Sequence, residues 1–337
     1  MNPIADIVPQ LKEPKNIVIT MHQKPDPDAM GAALALFQLF EQLAHQVTVI
    51  SPTNWANFLD WMPGCKSVLD YENYKQHDKA ETALKAAEWL FCLDFNYIPR
   101  TKNMAAVINN LSCKKILIDH HQQPDEQSFD YGISDVSKSS TCEMVYDFIL
   151  ASGNGDKITI GIAECLYAGV MGDTGSFRYP SATESLHLMV AALKAKGLYH
   201  TKVHDNIYDN FLENRLRFIG HVLQSRMEIF YEFNTALIAV PKNDLIRYEI
   251  KTGDTEGLVN YPLSIQGIKL AAIVIDRDEE RKWSFRSKGD FDSNDFARTY
   301  FNGGGHFSAS GGRTYDSLEK TINKFKQAIE ENASQLQ

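Results

Sequence analysis

The chain has 337 residues, of which 44% are apolar, 34 are Lys or Arg and 43 are Asp or Glu, giving a net charge of −9. That length suggests about two globular domains with room for full cores. The acidic balance argues against a protein that coats long duplex nucleic acid through a basic surface, and no apolar run approaches the ~20 residues of a membrane helix.

Cysteine usage narrows the setting. Cys65, Cys92, Cys113, Cys142 and Cys165 are odd in number and show no C-x-x-C spacing. A disulfide framework is therefore not expected, and a reducing cytoplasm fits best. Residues 1–15 carry acids and prolines and lack the apolar core of a signal peptide.

Taken in order, residues 2–15 read as a lead-in with one short helix. Residues 16–20 read as a buried strand, followed by the loop His22-Gln23-Lys24-Pro25-Asp26-Pro27-Asp28. The two prolines fix φ and limit how the acids can point. Asp28 reads as a functional carboxylate or as the cap of the next helix. That helix opens with Ala29, Gly31, Ala32, Ala33 and Ala35, small enough for close packing, and continues with Leu36, Leu39, Phe40 and Leu43 at helical spacing. Residues 47–50 are the next strand. The irregular segment after it holds Trp55, Phe58, Leu59, Trp61 and Met62, which read as core rather than as a base-stacking platform. A helix over 79–88 leads to a strand over 89–93 that stops at Asp94. A further helix, about 101–110, precedes the strand 114–118 that ends in Asp119-His120-His121. Alternating strands and helices predict a parallel sheet flanked by helices, with ligands at the carboxyl ends of its strands.

Ser140 with Glu143 makes a capping-box pattern at the next helix start, where exposed amides could also meet a phosphate. Residues 158–171 are apolar on every side and read as a buried helix that delivers Gly172-Asp173-Thr174-Gly175, with Arg178 just beyond. Ser181 and Glu184 suggest a second capping box, before a helix ending near Gly197. Domain boundaries are expected at 1–195 and 226–337, joined by a helical linker over 196–225. The second domain reads as a smaller α/β unit. Its strands cover 234–240, 269–275 and 281–287, with a turn over 276–280. In the last strand Ser284, Arg286 and Lys288 share one face, opposite Trp283, Phe285 and Ser287. Gly303-Gly304-Gly305-His306 suits a nest of amides around an anion, a flexible loop being the alternative. An amphipathic helix with Leu318, Ile322, Phe325 and Ile329 closes the chain.

Four apolar segments thus stop at Asp, or at Asp with His. Carboxylates that meet in one place must be protonated or neutralised, and divalent cations do this most economically. His22-x-x-x-Asp26-x-Asp28, Asp94, Asp119-His120-His121 and Gly172-Asp173-Thr174-Gly175 resemble the four motifs of the DHH phosphoesterase superfamily. Gly303-Gly304-Gly305-His306 resembles the glycine-rich motif of its DHHA1 domain. Together they span about residues 16–313, in the family's order. The chain looks most like the nanoRNase/pAp phosphatase group.

The resemblance implies a DHH domain with a parallel sheet, a smaller DHHA1 domain and an active site between them. It implies two Mn²⁺ ions, with Mg²⁺ or Co²⁺ as replacements. His22 and Asp26 would hold one ion, Asp28, His120 and Asp173 the other, and Asp94 would bridge. Asp119 would orient an imidazole, and His121 would face the substrate phosphate or leaving oxygen. Arg286, Gly304, Gly305, His306 and Arg178 would contact substrate. Implied substrates are short oligoribonucleotides, cut to mononucleotides, and 3′-phosphoadenosine 5′-phosphate (pAp), converted to AMP. A phosphodiesterase for cyclic or linear dinucleotides is the alternative enzyme, and a homodimer stays open. The alternative outside enzymes is a catalytically silent nucleotide-binding module, which should have lost a ligand; all six are present.

Overall fold

The computed structural model describes residues 1–251, 253–277 and 279–337. Asp278, within the expected turn over 276–280, lies outside the described residues. Two compact units, Met1–Asn210 and Phe211–Gln337, make up the chain.

The first unit contains strands β1 (Asn2–Pro3), β2 (Asn16–Met21), β3 (Gln46–Ser51), β4 (Leu69–Asp70), β5 (Trp89–Leu93), β6 (Lys114–Asp119) and β7 (Tyr131–Ser134). They form one sheet in the order β1-β7-β6-β5-β2-β3-β4, and every pair in it is parallel. The central strands β2, β5 and β6 are apolar along their middles because helices cover both faces. Ile17, Ile19 and Met21 enter one core with Phe91, Leu93, Ile116 and Ile118. Val18, Leu90, Cys92 and Leu117 enter the opposite one. Helices α1 (Pro27–Gln42), α2 (His77–Ala86), α3 (Ala105–Asn109), α4 (Thr141–Ala151), α5 (Ile160–Asp173), α6 (Glu184–Ala195) and α7 (His200–Tyr208) complete the unit. The two-residue edge strands β1 and β4 carry no hydrophobic pattern of their own; pairing with a neighbour creates them.

Small residues let α1 and α5 touch backbone to backbone. A Cβ on Gly31 would run into the Cys165 carbonyl oxygen, and one on Gly169 would lie 2.7 Å from Asp28 Oδ1. The all-apolar α5 is buried along most of its length, as its sequence demands.

Two expected caps differ and a third is met in half. Asp26, not Asp28, caps α1: its carboxylate accepts from the Asp28 and Ala29 amides, both at 3.0 Å. The reason is Pro27, which takes the first helical position, where no N–H is needed, and so places the cap at Asp26, two residues earlier than expected. Helix α6 is capped by Thr183 rather than Ser181. At α4 the Ser140 hydroxyl does accept from the Glu143 amide, at 3.1 Å. The Glu143 carboxylate, however, turns to the amide and hydroxyl of Ser139, at 2.9 and 2.7 Å.

The second unit carries α8 (Glu213–Ser225), β8 (Met227–Phe230), β9 (Thr235–Val240), α9 (Lys242–Arg247), β10 (Leu270–Asp276), β11 (Arg281–Ser287), α10 (Ser293–Phe301), β12 (Gly304–His306), β13 (Ala309–Thr314), α11 (Leu318–Glu331) and α12 (Ala333–Leu336). Its sheet runs β12-β13-β11-β10-β9-β8, with β9 and β10 parallel and the other pairs antiparallel. Trp283 and Phe285 are buried on one face with Phe296, Phe301 and Phe325. The stretch 196–225, read as linker, supplies α7 to the first unit and α8 to the second.

Replacing Gly31 with Ala forces α1 and α5 apart and should cost about 1–3 kcal/mol of stability. Urea denaturation followed by far-UV circular dichroism measures this; an unchanged midpoint would show that the helices can separate freely.

Candidate functional site

Adjacent parallel strands β6, β5 and β2 end side by side, so their last residues gather the chemistry. After β2 come His22, Asp26 and Asp28; after β5, Asp94; at the end of β6, Asp119, His120 and His121. Asp173, the last residue of α5, joins them from the helix layer. Asp94 has φ of +63°, a left-handed conformation that few residues other than Gly adopt. Such strain concentrates at functional sites.

Two imidazoles face this ring of acids. His22 Nε2 lies 3.6 Å from Asp26 Oδ2 and 3.3 Å from Asp94 Oδ2. His120 Nε2 lies 3.8 Å from Asp28 Oδ2, 3.5 Å from Asp94 Oδ1 and 3.2 Å from Asp173 Oδ2. Asp94 therefore turns one oxygen to each imidazole. The groups His22–Asp26–Asp94 and Asp28–His120–Asp173 each bring their ligand atoms within 4.8 Å of one another.

The far ring nitrogens fix the tautomers. His22 Nδ1 meets the Gln23 carbonyl at 2.8 Å, and His120 Nδ1 meets that of Lys138 at 3.4 Å. A carbonyl only accepts, so each Nδ1 carries a proton. Each Nε2 then aims a lone pair, or a second proton, at carboxylate oxygens. Without a cation the balance must be struck with protons. Burial works to lower His22, but Asp26 and Asp94 outweigh it and push the imidazole up to about 10. Burial likewise opposes a charged His120, yet Asp173 and Asp94 raise it well above its usual range. Burial, reinforced by Asp94 and Asp173, drives Asp28 well above the carboxylate range. Asp94 moves the other way: burial would raise it, but His120 and His22 hold it well below. Divalent cations would replace those protons and satisfy acids and lone pairs together. The oxygen-rich donor set with neutral imidazoles fits such ions.

Asp28 is anchored from behind. Its two oxygens accept from the first amides of α4, Thr141 N at 2.7 Å and Cys142 N at 2.8 Å. A helix N-terminus favours a carboxylate there. Asp119, fully buried, accepts from His121 Nδ1 at 2.7 Å. This fixes the His121 ring and leaves its Nε2 on the far edge, the geometry of an oriented acid–base imidazole.

Arg178 folds back on its own turn, its Nε donating to the Gly175 carbonyl at 2.6 Å. In the second unit Arg286 lies on the less buried face of β11, opposite Trp283, Phe285 and Ser287. Its Nη1 donates to the Phe285 carbonyl at 2.9 Å, while its Nε is buried and finds no hydrogen-bond partner among the described residues. Gly304, Gly305 and His306 form β12, the first arm of a hairpin with β13. Gly305 has φ of +151°, and its amide donates to Asn294 Oδ1 at 2.8 Å. A Cβ there would sit 2.6 Å from the Ala309 carbonyl, so glycine is what lets the arms close.

A model of the DHH family N-terminal domain matches residues 16–170, and a DHHA1 domain model matches residues 235–335. The chain is 35% identical to an exopolyphosphatase-related protein of Bacteroides fragilis whose crystal structure superposes with a TM-score of 0.92, covering 98% of this chain and 97% of that one. The chain belongs to the DHH/DHHA1 family. Among curated proteins it is 27% identical to the bifunctional oligoribonuclease and PAP phosphatase NrnA of Bacillus subtilis, over 89% of both chains. It is 29% identical to a probable bifunctional enzyme of that name from Streptococcus mutans, over 95% of this chain and 96% of the relative.

Thr141 and Arg100 belong to this DHH site but were not singled out by sequence. The Thr141 hydroxyl donates to Asp94 Oδ1 at 2.9 Å. Arg100 lies close enough to oppose protonation of His22, and its carbonyl accepts from the Gln23 amide at 2.8 Å. The helix start at Thr141 was visible; that its side chain reaches a residue 47 positions earlier was not. Thr141→Val keeps the side-chain shape and the amide bond to Asp28 but removes the bond to Asp94. Supports of this kind are worth about 10–100-fold in metal affinity. Calorimetric titration with Mn²⁺ should show a loss in that range; unchanged affinity would mean the bond to Asp94 does not support metal binding.

Proposed function

We propose that this chain is a divalent-cation-dependent phosphoesterase that cuts short oligoribonucleotides to mononucleotides and converts pAp to AMP and phosphate. The observation that carries the reading is Asp94, which sits in the ligand group of His22 and Asp26 and turns its other oxygen, at 3.5 Å, to His120 of the second group. The near full-length similarity to NrnA proteins supports the substrate class. In this reading His22 and Asp26 hold one Mn²⁺, Asp28, His120 and Asp173 hold a second, and Asp94 serves both. Bound in this way, the ions supply Lewis-acid polarisation of phosphoryl oxygens and a water nucleophile at neutral pH.

The chain's own groups do the rest. Asp119 holds His121 through Nδ1, so that Nε2 can pass a proton at the leaving oxygen. Thr141 and the α4 amides keep Asp94 and Asp28 aimed. Arg286 grips phosphate oxygens, as a planar guanidinium can do with two parallel bonds. Gly304, Gly305 and His306 let substrate approach the backbone closely, and Arg178 adds positive charge beyond Asp173. Five free cysteines are consistent with a cytoplasmic setting. Among the described residues, no helix is long and apolar enough to cross a membrane.

Turnover of pAp, a diribonucleotide, a longer RNA and a cyclic dinucleotide, each with Mn²⁺, tests the reading. The first two should be consumed fastest; preference for the cyclic dinucleotide would overturn it. His120→Ala should lose both metal and activity, whereas His121→Ala should lose activity and keep its metal. Equal metal loss in the two variants, by elemental analysis, would sink that division of roles. Arg286→Ala should raise KM for pAp and dinucleotides by roughly tens- to hundreds-fold, the cost of a charged contact. Bis-p-nitrophenyl phosphate should be hydrolysed about as before. If both substrate types fall together, Arg286 belongs to the catalytic centre or to the fold.

A further inference from the structure

Phe307 sits at the tip of the β12–β13 hairpin, directly after His306, and the residue is 43% exposed. It is the one phenylalanine among the exposed large apolar residues described. A phenyl ring has no polar handle that water could satisfy. A single exposed apolar side chain on a loose loop would need no explanation.

This tip is not loose. The Phe307 carbonyl accepts from both the amide and the hydroxyl of Ser293, at 2.8 and 2.9 Å. The next carbonyl, of Ser308, accepts from the Ser287 amide at 3.0 Å. Ser310 Oγ donates back to the Ser293 carbonyl at 2.5 Å, and Gly305 N is held by Asn294. Both turn residues are thus tied, one to the first turn of α10 and one to the end of β11. Across the same ladder Arg286 pairs with Ala309, two residues beyond Phe307. A rigid frame therefore presents one bare aromatic ring within a few residues of the hairpin glycines, His306 and the strand position of Arg286. Among the described residues that ring stacks on no other aromatic ring.

We infer that Phe307 is a specificity-determining residue whose ring stacks on a nucleobase of the substrate. The inference rests on the phosphoesterase reading and adds the part of the substrate that a phosphate grip leaves unread. An ordered ring loses little freedom when a base lands on it, and every base offers a π-face, so the contact selects nucleotides over simple phosphate esters without selecting a base.

The test compares pAp with abasic ribose 3′,5′-bisphosphate, which carries the same phosphates and no base, under Mn²⁺ saturation. Stacking on one base is worth enough to predict a KM rise of about tenfold for pAp in Phe307→Ala. kcat should stay within about twofold, and KM for the abasic compound should not move. Phe307→Leu keeps apolar bulk without the π-face and should behave like the alanine variant; Phe307→Tyr should behave like wild type. The thermal midpoint of each variant checks the fold. An unchanged KM for pAp, an equal rise for the abasic compound, or full rescue by leucine would overturn the inference. Failure of the wild type to turn over pAp would instead overturn the phosphoesterase reading, and the inference with it.

Discussion

Repulsion among buried carboxylates governs the first unit. Asp28 and Asp94 are almost fully buried, and Asp26 and Asp173 lie beside them. Two negative charges a few Å apart in a poorly polarisable interior cost far more than in water. A fold cannot hold such a group unless each charge is answered. Asp94 is answered by two imidazoles and a threonine hydroxyl, Asp28 by two helix amides, Asp26 by the amides that open α1. The unusual backbone at Asp94 and the crowded glycines on α1 and α5 follow, because they let these answering groups come close enough.

The same logic works with weaker forces in the second unit. There the hairpin carrying Gly304, Gly305 and His306 is held by α10, whose Ser293 and Asn294 reach two of its backbone positions and the Ser310 hydroxyl. Glycine is needed where the arms meet, at Gly303 and Gly305, since a Cβ at either would collide with the opposite strand. A run that reads in sequence as a nest or a flexible loop is thereby an extended strand with fixed neighbours. Its chemistry lies in what it displays rather than in freedom of motion.

Much of this is legible in the order of the amino acids. The central strands announce themselves as apolar runs, and their polar ends fall where a parallel sheet collects them. His22, Asp94, His120 and Asp173 could be named because each follows or ends such a run, and the resemblance assigned their roles. What stayed hidden is what depends on partners far along the chain. Asp26 and Asp28 are both plausible caps by composition; only Pro27 in the first helical position decides between them. Thr141 looks like an ordinary helix start until α4 is seen against Asp94. Strands β1 and β4, two residues each, have no pattern to read. Phe307 is one aromatic among many, and its exposure comes from a turn pinned by Ser293 and Ser287 across the unit.

The bonds from Thr141 and Cys142 to Asp28 span 113 and 114 residues of chain. Contacts this distant form only after most of the loop-closure entropy of the unit has been met. Asp28 is fully anchored only once α4 has docked on α1. A partly folded chain would offer scattered acids, whereas the finished unit brings them within reach of one ion. A divalent ion bound there would draw the population toward the native state by mass action. The unit's resistance to unfolding would then follow the free metal concentration around it, and its lifetime in a metal-poor environment how readily α4 lifts away from Asp28.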